Sequence, residues 1–155
     1  MTDLKRPEFI VGRLVRQFLG YSGELGEQTR VFADLPEELQ KRLAAEAQFE
    51  ANELGAIAYY KSETEWVILT DRRIAWRNQE GSGSVHPRDV KDITRDIAYM
   101  KKVGGKPLLD RLDIILNDGS TQYLFLEPES LYGFWNASLT LKSLRSGRSS
   151  GRGDN

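Results

Sequence analysis

The residues able to do chemistry are few in this chain, and their types narrow the choices at once. His86 is the single histidine, and cysteine is absent. A lone imidazole cannot build a multi-histidine metal site, and without thiols there is no disulfide, thiolate metal site or cysteine nucleophile. No serine stands in the strand-to-helix context that a nucleophile elbow requires, and no His, Ser and Asp fall at spacings that suggest a relay. Carboxylate pairs such as Asp110 and Asp113 are unremarkable among 23 acidic residues. The expectation is a chain with no catalytic residue, no cofactor and no metal.

What remains are cations that could meet an anion. Lys101, Lys102 and Lys106 fall in a basic, glycine-rich stretch at 100–107, read as a loop. Free N–H groups around Gly104 and Gly105 could also face a phosphate there. The Lys-Ser/Thr pair and helix that complete a phosphate loop are missing, so a solvated loop tip is the simpler reading. Arg72 and Arg73 end a hairpin; one is expected to pair with a carboxylate or cap carbonyls locally, with Asp71 shaping the turn. A ligand role for the pair is the lesser reading. His86, beside Pro87, has no partner that the sequence suggests.

A second set of cations lies on a helix. Pro7 suits its first turn and Gly20 its end, which predicts a helix over 7–20. Ile10, Leu14 and Phe18 form one i, i+4 row, and Val11, Val15 and Leu19 the next. At 100° per residue these fill about half the circumference. Lys5, Arg6, Arg13 and Arg16 project from the other side. Such a face can pack on its own domain, on a second subunit, or in a membrane interface with the arginines at the headgroups.

The elements that must position these residues centre on 66–77. Strand-forming runs at 66–69 and 74–76 flank Thr70-Asp71-Arg72-Arg73, which predicts a central β-hairpin. Trp66 and Trp76 are expected to lie nearly opposite one another in it, as core residues. Upstream, the glycines of 21–29 predict a loop. Asp34, Pro36 and Glu37 then open a second helix, read as 35–52, with Leu35, Leu39, Leu43 and Ala47 in one row.

Downstream come a first strand at 56–60, a polar turn at 61–65, a Gly/Ser loop at 78–83 and a short edge strand at 85–87. Asp118-Gly119 between alternating runs is a strong hairpin signal, with Leu112, Ile114 and Leu116 on one arm and Tyr123 and Phe125 on the other. Pro128 opens a closing helix with Leu131, Phe134, Trp135, Ser138 and Leu141 on one face. Residues 146–155 read as a disordered tail. The Arg152-Gly153-Asp154 tripeptide there reads as a chance match to an integrin motif.

At 155 residues the chain suits one domain, and its net charge of −1 gives no global pull toward nucleic acid or anionic membrane. No run is long and apolar enough to span a bilayer. A cytoplasmic location is the expectation.

The segment Ile68-Leu69-Thr70-Asp71-Arg72-Arg73-Ile74 is similar to the Leu-Thr-Asp-Arg-Arg hairpin of bacterial pleckstrin-homology-like (PH-like) domains, which also resemble GRAM and PH modules. Residues 84–93, the Asp118-Gly119 turn and Phe134-Trp135 in the closing helix fit the same order. The resemblance covers 52–144 and implies an α+β fold: a strongly bent antiparallel sheet of about seven strands capped by a C-terminal helix, usually without catalysis. The expected division is an N-terminal helical extension at 1–51, with two helices, followed by the PH-like domain at 52–145. Lipid-binding PH domains place Lys and Arg in and after their first hairpin. Here that turn carries Glu63 and Glu65, which would repel an anionic headgroup. The function this implies is a binding or scaffold module working through protein contacts, self-association among them. The alternative is a peripheral binder of anionic membrane, using Ile10, Leu14 and Phe18 with Arg13 and Arg16. No nucleic-acid partner is expected.

Overall fold

Pro7 opens the first helix as its missing N–H and fixed φ allow, and the helix runs through Gly20 to Ser22. The computed structural model describes residues 6–22 and 25–146. Expectations for Lys5, Gly23, residues 147–155 and the Arg152-Gly153-Asp154 tripeptide fall outside the described residues. The chain is α+β, with α1 at Pro7–Ser22, α2 at Glu37–Glu46, α3 at Ile97–Val103 and α4 at Pro128–Ser146.

The described strands form two antiparallel sheets in place of one bent sheet of about seven. The first contains β1 (Thr29–Val31), β2 (Gly55–Ser62), β3 (Glu65–Thr70), β4 (Ile74–Asn78) and β5 (Gly81–Val85), adjacent in that order. The second contains β6 (Val90–Thr94), β7 (Arg111–Leu116) and β8 (Thr121–Phe125). The break falls at Pro87, which opens a 3-10 turn over Pro87–Asp89. Proline has no N–H to carry a ladder onward, and β5 and β6 therefore end up in different sheets.

Side-chain alternation explains why β3 reads as an unbroken apolar run. Val67 and Leu69 point into a core shared with Ile57, Ile74, Leu112, Ile114, Leu124 and Phe134. Trp66 and Ile68 point the other way, into a cluster with Phe32, Leu43, Ala47, Ala58 and Ala75. One sheet face meets the second sheet, α1 and α4, while α2 covers the opposite face. Each such aliphatic side chain contributes about 1.5–3 kcal/mol when removed from water.

The same alternation corrects the expected pairing of the tryptophans. Trp66 is opposite Arg77, and Trp76 is opposite Val67. That offset of one residue puts the two indoles on opposite faces of the sheet.

Two helices depart from their expected bounds. The second ends at Glu46 because Gln48 takes a left-handed conformation, φ 57°, which turns the chain. Pro36, not Asp34, holds its N-cap position. The stretch 78–83, read as a loop, includes most of β5. The small residues Gly81-Ser82-Gly83-Ser84 carry no strand signal of their own; their ladder to β4 makes them a strand.

Candidate functional site

Thr70-Asp71-Arg72-Arg73 sits where three segments meet, and its charges are held by those segments. Arg73 is 7% exposed. Its Nε donates to Glu53 Oε2 at 2.9 Å, and its Nη2 donates to Glu53 Oε1 and to the carbonyls of Ala47 and Gln48. A buried guanidinium needs such partners, because an unpaired buried charge is strongly destabilising. Glu53 also accepts from the Thr70 hydroxyl and the Glu50 N–H. Burial alone would push the Glu53 carboxyl up; the hydrogen bonds from Arg73, Thr70 and Glu50, with the Arg73 charge, outweigh it and hold the group below its ordinary value.

Asp71, fully buried, accepts from the Leu54 N–H at 2.8 Å, from Arg72 Nε at 3.2 Å and from Arg145 Nη2 at 3.1 Å. Arg72 also reaches Glu50 at 3.1 Å through Nη1. Arg73 is thus a structural cation, which corrects its place among ligand-binding candidates. Arg72 is partly committed: its Nη2 has no acceptor among the described residues.

The lysine stretch is not the glycine-rich loop that its sequence predicts. Residues 97–103 are helical, and Gly104 and Gly105 form the left-handed end of α3, at φ 117° and 109°. Their N–H groups donate back to the carbonyls of Lys101 and Met100. They are therefore unavailable to cradle a phosphate, and the nearest helix end is the negative one. Lys101 and Lys102 remain exposed on the last turn, while Lys106 lies 5.3 Å from the centre of the Tyr132 ring.

The apolar helix row is likewise accounted for inside the chain. Ile10, Leu14 and Phe18 are each 0% exposed and belong to the main core, with α1 lying along α4. That corrects their assignment as an outward interaction face. The residues left toward solvent on α1 are Glu8, Phe9, Arg16, Leu19, Gly20 and Tyr21, with Arg13 half-buried. No described helix is long and apolar enough to cross a membrane.

Two polar clefts stand out. One of about 450 Å³ lies between the end of α2 and the β3–β5 edge, lined by Glu46, Trp66, Trp76, Arg77 and Ser82 through Ser84. Trp66 Nε1 donates to Glu46 there, whereas the Trp76 indole N–H has no acceptor among the described residues. The other, of about 440 Å³, is lined by Pro7, Glu50, Arg72, His86, Pro87, Arg88 and Arg145. Neither brings together a nucleophile, a base and an orienting group. No group of three or more potential metal ligands occurs among the described residues.

Sequence reasoning passed over Arg88 and Arg145, which lie 57 positions apart in the sequence and meet only through the fold. It also passed over Glu127, whose carboxylate accepts from the N–H groups of Glu27 and Gln28 and from the Thr29 hydroxyl. Gly26 is the one local hint: a Cβ there would sit 2.4 Å from Glu127 Oε1.

No known family model matches this chain, and no curated protein does. Among solved structures, a DUF1696 family protein with a pleckstrin-homology domain from Shewanella loihica PV-4 is similar at 16% identity, with a TM-score of 0.47. The match covers 66% of this chain and 92% of that one.

Proposed function

We propose that this chain is a non-catalytic binding module of PH-like build that works by protein contact, and that the contact is strand addition at β5. The observation that carries this reading is the state of that edge. β5 closes the five-stranded sheet, and Gly81, Ser82, Gly83 and Ser84 are all exposed. Natural edge strands are normally blunted by lysine, proline, a bulge or a covering element. This one carries only glycine and serine along the open side. A Cβ at Gly83 would approach Trp76 Cζ2 tightly, at 3.1 Å.

The occupant that suits such an edge is a second copy of the chain. Two β5 strands meeting antiparallel about a two-fold axis bring only small, uncharged residues together, and the interface repeats itself on both chains. The adjoining cleft with its unpaired Trp76 N–H gives the contact a polar margin.

Light scattering after size exclusion, with hydrogen exchange on the same samples, tests this. The expected result is a dimer whose amides at 81–84 are protected, and a monomer with unprotected amides when Ser82→Lys and Ser84→Lys are combined. A wild-type monomer at every concentration, or a dimer with 81–84 unprotected, would overturn it.

A further inference from the structure

The geometry points to a phosphate-binding site in the cleft lined by Arg72, His86, Arg88 and Arg145, an inference independent of strand addition at β5. The chain is nearly neutral overall, yet three of its arginines and its only histidine line this one cleft. Two of the arginines are already fixed. Arg72 is held by Asp71 and Glu50, and Arg145 donates from Nε to the Asp71 carbonyl at 2.9 Å and from Nη2 to its carboxylate at 3.1 Å. Asp71 thus clamps both guanidiniums from beneath.

That clamping leaves donors over. Arg72 Nη2 and Arg145 Nη1 have no acceptor among the described residues, and the side chains of Arg88 and His86 make no hydrogen bond there either. The Arg88 carbonyl and the turn around it are positioned by Asn117, whose Nδ2 donates to that carbonyl at 2.8 Å. The exposed Arg88 side chain is therefore free to swing onto a ligand from a fixed base. Preformed donors on two fixed arginines and a third mobile one suit a tetrahedral dianion with several acceptor oxygens better than a single carboxylate, which two donors satisfy.

Glu50 is the opposing group. It is half-exposed and accepts from Arg72 at 3.1 Å. Its carboxylate occupies the site in part, as an oxyanion from the chain itself. An incoming phosphate must displace it or share Arg72 with it.

The test uses the full chain, with inorganic phosphate and phosphoserine as soluble probes and phosphatidylcholine vesicles with and without phosphatidic acid as the lipid probe. Calorimetry follows the soluble probes and sedimentation the vesicles. Arg88→Ala should weaken binding about tenfold, as loss of a charge-assisted hydrogen bond does. Glu50→Gln should strengthen it, and Lys101→Ala with Lys102→Ala should leave it unchanged. Arg88-dependent binding of the soluble probes supports the site with a free phosphate as source. Arg88-dependent binding of vesicles alone supports it with a lipid headgroup as source. No binding of any probe, binding indifferent to Arg88, weaker binding in Glu50→Gln, or tighter binding of a hexaglutamate peptide than of phosphoserine would each overturn it.

Discussion

Arg145, near the end of α4, grips Asp71 in the β3–β4 turn across 74 positions of sequence, donating to both its carbonyl and its carboxylate. The turn is thereby fixed by the closing helix as well as by its own hydrogen bonds. Thr70 contributes those local bonds, accepting from the N–H groups of Arg72 and Arg73.

Asp71→Ala should lower the unfolding free energy by about 3 kcal/mol, since it leaves the Leu54 N–H and two guanidiniums without their buried carboxylate. Arg145→Ala removes a partly exposed partner and should cost about 1 kcal/mol. Urea unfolding of both variants measures the two values. A loss for Asp71→Ala no greater than for Arg145→Ala would show that the carboxylate is not the keystone of the turn.

Acid should destabilise the chain through Glu53. Its folded pKa is depressed, so its stabilising effect is complete above the unfolded carboxylate value and is lost as pH falls through the folded one. The unfolding midpoint of the wild type should therefore drop on acidification, and Glu53→Gln should flatten that acid limb while lowering stability at neutral pH. An acid limb unchanged by Glu53→Gln would count against it.

Alkali acts through Tyr99. Burial first, and then its hydrogen bond to Asp110 at 2.6 Å, push the phenol up to about 12. A raised folded pKa stabilises below the unfolded value, and that contribution disappears as pH rises through the folded one. Phenolate absorbance should show one tyrosine titrating near that pH, missing in Tyr99→Phe.

Phe18→Ala should destabilise by about 3–5 kcal/mol, as removal of a fully buried phenyl ring does. Phe9→Ala, on the outer side of the same helix, should change stability by about 0.5 kcal/mol or less. Equal effects at the two positions would contradict the packing of α1 on α4.

Gly104→Ala should cost about 1 kcal/mol, because its left-handed φ disfavours any side chain and the new methyl would meet the Leu108 side chain at 2.7 Å. Thermal unfolding checks it, and an unchanged melting temperature would argue against this helix end.

Much of the architecture was legible because local pattern and final burial agree. The β7–β8 hairpin turns at Asp118-Gly119 as its sequence predicts, and the rows of α1 and α4 mark the faces that are buried. The errors share a cause. β5 has no strand-forming side chains, so only its ladder to β4 identifies it. The lysine stretch resembles a loop because two glycines end a short helix, and glycine signals a turn whichever element precedes it. For the arginines, sequence could place Arg72 and Arg73 at a turn but could not see Glu53 closing on one, or Arg88 and Arg145 joining the other. Partners brought in from distant segments leave no periodic trace.

The packing of α1 against α4 also sets an order of events during synthesis. The first helix emerges with Ile10, Leu14 and Phe18 bare, and its cover in α4 is made last of the described elements. Contacts between such distant segments form late and slowly. Until α4 is made, α1 therefore keeps its apolar row without that cover, which gives a chaperone an opportunity to bind it.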